Sequence, residues 1–483
     1  MNRTPGAPRA PTSLRTSRRD ALKTLGTVGL SGLAGLAGMA GSPSQARMRP
    51  AVNYNILWLM ADEHNPFVAG FAGNRVVQTP ALDALASRGT VFRSAYTPDP
   101  ICESARRAFC SGRMASNINS EQPNYEALGP YFGRMGYHTG WFGKQHWDNL
   151  VNSFDEVGED CDKVVRQRFI DAGLQYPQQT RLVRDASVAY WGTDLNEDTV
   201  ATEQALGFLD AIGSQRFFLG VSYVKPHFPF CIQPEYFGRY ADAQIRRPRV
   251  TQAMLDDLST AMKNDRSLYE IDRLSAVQED YARRIYYGMV SYMDDQVGRV
   301  LARLDALGLR EQTIVLYMSD HGEMLGQHGI WYKNSFLEGS ARVPMIVSMP
   351  SALGAQLRSV NAPTSTIDLF PTLCELCGLP PPATLEGRSL VPLMTGQDAG
   401  SDRVAFSENN RCGIPARMIR TRRFKYCWYA DGIEQLYDMH GPDRDIEGAN
   451  LVADPAYATI VQNLRRRALA GWNPDGLWDG GGA

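Results

Sequence analysis

A chain of 483 residues, 43% hydrophobic and 10% aromatic, is long enough for two or three domains and too apolar for a disordered or fibrous protein. Its net charge of −2 is unevenly spread: the first 46 residues hold Arg3, Arg9, Arg15, Arg18, Arg19 and Lys23 against Asp20 alone, so the remainder is acidic. An acidic body lacks the basic face that phosphate neutralisation needs, which argues against a nucleic-acid binder.

The chain opens on a targeting pattern. Thr16 to Lys23 contain the pair Arg18-Arg19, followed by an uncharged, Gly-rich stretch from Thr24 that closes on Ser44-Gln45-Ala46. A basic start, a weakly apolar middle and a small-residue end describe a cleavable export signal, and the paired arginines resemble the twin-arginine kind. Too few large apolar residues are present for a stable membrane anchor, and no later run is apolar enough to span a bilayer. Eight scattered cysteines do not form a disulfide framework; Cys374 and Cys377 read as small core residues of a helix within Ser365–Gly378.

The body alternates strands and helices. Asn55–Ala61, Thr139–Phe142, Phe217–Val224, Thr313–Met318 and Val343–Met349 are continuous apolar runs, the pattern of parallel strands covered on both faces. Between them, Thr79-Pro80 opens a helix with Pro at its first position, and Asp280–Leu307 predicts a long amphipathic helix. Beyond residue 400 the texture changes. Arg417–Tyr429 and Glu434–Asp438 read as short paired strands, and Ala456–Trp472 as a closing helix. The polar stretches 148–200 and 240–275 read as insertions over one end of the sheet, the place for substrate selection.

Four apolar runs end in ionisable residues: Asp62-Glu63, Lys144 with His146, Lys225 with His227, and Asp320-His321. Ligands bind beyond the carboxyl ends of parallel strands, so neighbouring strands would bring these groups to one spot. Carboxylates gathered this way repel unless a cation sits among them, and the oxygen-rich set Asp62, Glu63, Asp320 and His321 suits Ca²⁺, Mg²⁺ or Mn²⁺. A further element, Pro100 to Arg113, places Cys102 at or just before the start of a short helix, where the dipole and Arg106 favour an anion or a nucleophile. Only seven of the 50 basic residues are Lys, and Lys144 and Lys333 fall inside these motifs, as compact point charges.

Cys102-Glu-Ser-Ala-Arg106 followed by Ser111-Gly112-Arg113 resembles the type I sulfatase signature, with Ser104 where that family usually carries Pro or Ala. The likeness continues in order through Asn55–Asp62, Gly136-Tyr-His-Thr139, Gly143-Lys-Gln-His146, Lys225-Pro-His-Phe-Pro-Phe230, Ser319–Lys333, Phe336–Pro344, Leu436-Tyr-Asp-Met439 and Asn450-Leu451. The run from Ser319 to Pro344 is similar to the choline-sulfatase-like and phosphonate-monoester-hydrolase-like branch.

The resemblance implies an alkaline-phosphatase-like α/β fold: a large, mixed, mostly parallel sheet flanked by helices, with a small C-terminal α+β subdomain. It implies a signal over 1–46, a catalytic domain over 47–395 and the subdomain over 396–483. It further implies that Cys102 is oxidised to formylglycine, whose hydrate attacks the sulfur of a small-molecule or saccharide sulfate ester. Asp62, Glu63, Asp320, His321 and residue 102 would hold one divalent ion. Arg106 would hold the hydrate, and Lys144 and Lys333 would bind sulfate oxygens. His146 would take the proton in the elimination, and His227 would donate to the leaving alcohol, with Lys333 as a second donor. Transient partners would be a formylglycine-generating enzyme and the export machinery, leading to a periplasmic or extracellular location. Two alternatives stand beside this reading: a phosphonate monoester or phosphodiester hydrolase, and a non-catalytic anion-binding homologue.

Overall fold

The computed structural model describes residues 54–118, 125–146, 154–177, 180–440 and 447–477. The expected signal, 1–46, lies outside the described residues. At the centre of the body is an eight-stranded sheet. Its strands are β1 (Asn55–Asp62), β2 (Thr90–Phe92), β3 (His138–Gly143), β4 (Glu156–Val157), β5 (Phe217–Pro226), β6 (Thr313–Ser319), β7 (Met345–Ser348) and β8 (Ser359–Val360). The spatial order is β8-β2-β7-β6-β1-β5-β3-β4. From β6 through β1, β5 and β3 to β4 every pairing is parallel. The expected alkaline-phosphatase-like, mostly parallel sheet is therefore present.

One strand departs from the parallel reading. β7 pairs antiparallel with both β6 and β2. Between β6 and β7 the chain forms only a 3₁₀ turn (Gln327–Gly329) and the four-residue helix Glu338–Ala341, with no long crossover helix on a sheet face. A segment that turns back at the same end of the sheet returns in the opposite direction. Its continuous apolarity reports burial on both faces, which is equally true of either direction.

The central strands are apolar throughout because both faces are covered. Side chains of β1 alternate between two cores. Ile56, Trp58 and Met60 join Phe109, Phe132, Phe218 and Leu316 on one face. Leu57, Leu59 and Ala61 join Leu85, Val297, Val300 and Tyr317 on the other. Full burial of each large side chain contributes about 1.5–3 kcal/mol, so β1 is anchored from both sides.

The helices follow their sequence signals. α1 (Pro80–Arg88) has Pro at its start, as expected. α2 spans Cys102–Ser111 and stops at Gly112, which takes a left-handed φ of 65°. α3 (Leu128–Arg134) joins the first core through Leu128, Tyr131 and Phe132. α4 (Cys161–Asp171) lies in the first insertion and α5 (Glu197–Ala211) starts at its end, with Asp160 and Asn196 capping their N-termini. α6 (Ala276–Ala306) is the long helix; its start is fixed by a reciprocal capping box between Ser275 and Gln278. α7 (Leu369–Leu376) carries Cys374, which is buried with Cys377 in the first core.

The C-terminal part forms an antiparallel sheet of β9 (Ala405–Asn409), β10 (Ala416–Arg420), β11 (Phe424–Tyr429) and β12 (Glu434–Asp438), covered by α8 (Ala458–Leu469). β9 is an addition to the strands read from sequence. A buried ion cluster ties this sheet to the body. Lys425 Nζ lies 2.5 Å from Glu338 Oε1 and 2.7 Å from Glu447 Oε1, and donates to Phe336 O at 2.8 Å. Arg420 Nε donates to Tyr96 Oη at 2.9 Å, and Tyr96 Oη donates to Glu338 Oε1 at 2.8 Å. Removing one partner of such a cluster leaves a buried charge uncompensated. Lys425→Met is therefore expected to destabilise the protein by about 3–5 kcal/mol. The check is a lower urea midpoint at unchanged slope; an unchanged midpoint would contradict it.

Candidate active site

The site forms where β1, β3, β5 and β6 end side by side. Register places Asp62 opposite Pro226 and Ala61 opposite Ser319. The residues that follow each strand therefore open onto the same edge, as the sequence pattern requires. Two glycines make the close packing feasible. At Gly143 (φ 89°) a Cβ would fall 2.1 Å from Ser222 O, and at Gly322 one would fall 2.0 Å from Gly339 O. Neither place has room for a side chain.

Cys102 is the first residue of α2 and is buried. Its Sγ lies 3.1 Å from His321 Nε2, 2.9 Å from Lys333 Nζ and 3.5 Å from Asp62 Oδ1. His146 also favours the thiolate form. Burial pushes the Cys102 thiol up, but Lys144, Lys333 and His321 outweigh it and hold it well below the usual thiol range.

Arg106 sits one turn further along α2, fully buried. Its Nε donates to Asp320 Oδ2 at 2.8 Å and its second terminal nitrogen to Asp62 Oδ2 at 3.1 Å. The remaining terminal nitrogen donates to Lys144 O at 2.9 Å and Ser222 Oγ at 2.9 Å. The guanidinium thus bridges and orients the two carboxylates. Lys144 Nζ adds a contact to Asp62 Oδ2 at 2.5 Å. Burial and Cys102 push the Asp62 carboxyl up, yet Lys144, His227 and Arg106 together hold it well below the carboxylate range. Burial wins at Asp320, which is raised.

The ligand atoms of Asp62, Cys102, Asp320 and His321 all lie within 4.8 Å of one another. His321 Nδ1 is 3.0 Å from Gly322 O, so Nδ1–H is directed there and the Nε2 lone pair faces the cluster. Two carboxylates, an imidazole lone pair and a fourth donor, all buried, are a donor set that fits a divalent cation. Glu63 falls outside this set. Its carboxyl forms a second group with Asp62 and His227, where Glu63 Oε2 lies 3.4 Å from both His227 Nε2 and Lys333 Nζ. The two groups share Asp62, and Glu63, expected among the ligands, belongs to the second. Its backbone takes a left-handed φ of 65°, which turns the longer side chain toward the lysine.

His227 Nε2 is 2.8 Å from Lys333 Nζ, and its Nδ1 is 2.5 Å from Phe228 O. The ring therefore carries its proton on Nδ1 and accepts from the lysine. Burial, then Lys333 and Lys144, press its pKa down to about 3, whereas Cys102, Glu63 and Asp62 overcome burial and raise that of Lys333. Within this pair the Lys333 ammonium donates and His227 Nε2 accepts. Lys225 sits apart from this cluster and lines a neighbouring cavity.

Two other histidines are buried. His64 is fully buried, accepting from Tyr317 Oη at 2.6 Å and donating to Val68 O at 2.8 Å. His328 is 4% exposed and lies 3.8 Å from Glu447. Sequence reasoning did not single out Ser222 or Glu323. Ser222 sits inside an apolar strand with nothing to mark it, while Glu323 follows Asp320-His321-Gly322 directly and was legible as part of that run. A cavity of about 990 Å³ opens beside the site, lined by Lys144, His146 and His227 near the reacting groups and by Tyr176, Trp191 and Glu197 further out. Its outer wall comes from the 148–200 insertion, where substrate selection was expected.

A model of the Sulfatase family matches residues 54–379, and one described as N-sulphoglucosamine sulphohydrolase, C-terminal, matches 326–471. This chain belongs to the sulfatase family. It is a sulfuric ester hydrolase. Among its relatives, the uncharacterized sulfatase YidJ of Escherichia coli is 29% identical over 444 residues, covering 86% of each chain. The choline-sulfatase of Rhizobium meliloti is 29% identical over 433 residues, covering 83% of each. The phosphonate monoester hydrolase of Agrobacterium radiobacter shares the fold with a TM-score of 0.72 at 23% identity, over 86% of this chain and 94% of that one.

A neutral His227 has a consequence for pH dependence. A ring whose pKa is pressed to about 3 stays uncharged from pH 5 to pH 8, so it contributes no inflection there. The pH profiles of kcat for wild type and His227→Gln should differ in height and share their shape across that range. An inflection near pH 6.5 that disappears in His227→Gln would contradict this assignment.

Proposed function

We propose that this sulfatase cleaves its ester with a formylglycine made from Cys102 and with one divalent ion held by Asp62, Asp320, His321 and residue 102, Glu63 standing beside Asp62 as a further carboxylate. The observation that carries the reading is the environment of Cys102 Sγ, within 3.1 Å of both Lys333 Nζ and His321 Nε2 at the end of a cluster of metal-type donors. A buried structural thiol has no need of an ammonium and an imidazole nitrogen directed at its sulfur. When in place, the hydrated aldehyde supplies the nucleophilic oxygen and the ion supplies the positive charge that steadies it and the sulfate oxygens.

The chain's own residues do the rest. Arg106 keeps Asp62 and Asp320 in register and their charge in place. Lys144 and Lys333 are point charges that bind sulfate oxygens, and their attraction strengthens as charge develops in the transition state. The Lys333 ammonium carries the proton for the leaving alcohol, and His227 fixes its direction. His146, which lines the cavity beside residue 102, is the base that removes a proton there. Residues 1–46 act as a twin-arginine-type export signal, which delivers the protein folded to the periplasm or beyond. Among the described residues no helix is long and apolar enough to cross a membrane.

The substrate class is a small-molecule or saccharide sulfate ester. The choline-sulfatase among the relatives and a structural neighbour titled as a 2-O GAG sulfatase support the two halves of that class.

Mass spectrometry of the peptide holding residue 102, from protein made together with a formylglycine-generating enzyme, should show the aldehyde in place of the thiol. Cys102→Ala should lose at least ~10³-fold in kcat/KM on 4-nitrophenyl sulfate. Chelator treatment should lower activity by about 100-fold or more, with recovery on adding Ca²⁺, Mg²⁺ or Mn²⁺. An intact thiol in a fully active preparation would overturn the nucleophile. Faster turnover of bis-4-nitrophenyl phosphate than of 4-nitrophenyl sulfate would favour a phosphodiester hydrolase on the same site.

A further inference from the structure

The loop that delivers Lys333 is the most strained backbone near the site. Leu325, His328, Tyr332 and Asn334 have positive φ of 50°, 53°, 68° and 68°. Non-glycine residues in this region cost on the order of 1–3 kcal/mol each and persist only where their surroundings fix them. Backbone pairing closes the loop, with Met324 N donating to Tyr332 O at 2.8 Å and Gly326 N to Ile330 O at 2.9 Å.

One side chain grips both ends. Glu323 Oε1 accepts from Leu325 N at 2.8 Å and from Tyr332 N at 2.7 Å. These are two of the four left-handed residues, and Tyr332 directly precedes Lys333. Glu323 is fully buried, and its Oε2 has no donor of its own. Glu63 Oε1 is likewise buried without a donor, and the Glu323 carboxylate pushes the Glu63 carboxyl up. Glu323 thus holds the backbone that carries Lys333 and acts on the carboxyl against which Lys333 Nζ rests at 3.4 Å. A buried carboxylate is costly unless donors meet it, and a core without this task would be served by an apolar residue.

We infer that Glu323 is a positioning residue that clamps the 325–332 loop and thereby sets Lys333 Nζ on residue 102 and His227. The kinetic part rests on the reaction proposed above; the clamp itself does not. A glutamine at 323 keeps one oxygen for the two N–H groups and offers an amide N–H to Glu63. An aspartate keeps the charge and falls short of the loop by one methylene.

The test uses full-length, matured, metal-loaded protein with Glu323→Ala, Glu323→Gln, Glu323→Asp, Lys333→Ala and the Glu323→Ala/Lys333→Ala double variant. Hydrogen exchange read by mass spectrometry should rise about 10-fold or more across 325–332 in Glu323→Ala, and stay near wild type in Glu323→Gln. On an alkyl sulfate, Glu323→Ala should lose about 100-fold in kcat with KM changed less than about threefold. The loss should be much smaller on 4-nitrophenyl sulfate, whose leaving group needs no proton. Glu323→Gln should recover to within about fivefold, and the double variant should fall no more than about threefold below Lys333→Ala. Should Glu323→Ala not fold, Glu323→Asp carries the same signature at smaller amplitude. Unchanged exchange in the loop overturns the clamp whatever the activity. Losses that multiply in the double variant, or that are equal for the two leaving groups, overturn the positioning of Lys333. If wild type cleaves no sulfate ester, the proposed reaction falls and the exchange measurement alone decides the clamp.

Discussion

The structure is organised around the burial of like charges. Asp62 and Asp320 meet at fully buried positions, and moving such carboxylates out of water without compensation costs several kcal/mol each. Arg106 is the direct answer to this problem. Its planar fork reaches both carboxylates with separate nitrogens and spends its remaining donors on Lys144 O and Ser222 Oγ. A lysine, with one nitrogen on a flexible stem, has no such division of donors. The positive groups around the pair do the same work from outside, and the thiol of Cys102 comes to rest where the cationic groups are densest.

The parallel sheet is what permits this gathering. β1, β5, β6 and β3 are held in register by apolar side chains on both faces, so their carboxyl ends stay level and the loops after them share one small volume. The hydrophobic cores stabilise the arrangement that the charges alone would oppose. The C-terminal sheet adds to it from the side: Lys425 holds Phe336 O and Glu338, a few residues beyond Lys333. The segment carrying that lysine is therefore fixed on one flank by Glu323 and on the other by a second buried ion cluster.

Much of this was legible in the sequence. Continuous apolar runs gave the central strands, and the ionisable residues closing four of them gave the site, because a parallel sheet leaves only one edge for such groups. The direction of β7 was not legible, since burial on both faces looks the same either way. The contacts of Arg106 were not legible because spacing places it near Cys102 and says nothing of which acceptors its nitrogens meet. Glu63 followed a similar course: its proximity to Asp62 suggested a shared ion, but a left-handed backbone turns its carboxyl toward Lys333. The burial of His64 and His328 was not legible because their partners, Tyr317 and Glu447, lie far away in sequence.

The spacing of Cys102 and Arg106 links nucleophile and charge balance in one rigid body. Four residues apart on α2, they lie about one turn from each other on the same helical face. Cys102 begins the helix, so its side chain meets the positive end of the helix dipole together with Lys333 and His321. Arg106 lies behind it and fixes the two carboxylates. Ala108, Phe109 and Cys110, fully or nearly fully buried, seat the rest of α2 in the protein interior. A shift of the helix that displaced residue 102 would pull the guanidinium off Asp62 and Asp320 at the same time, exposing the like charges to each other. The electrostatic cost of that separation holds the reacting atom in place, so the same side chain that makes the carboxylate pair tolerable also makes the site stiff.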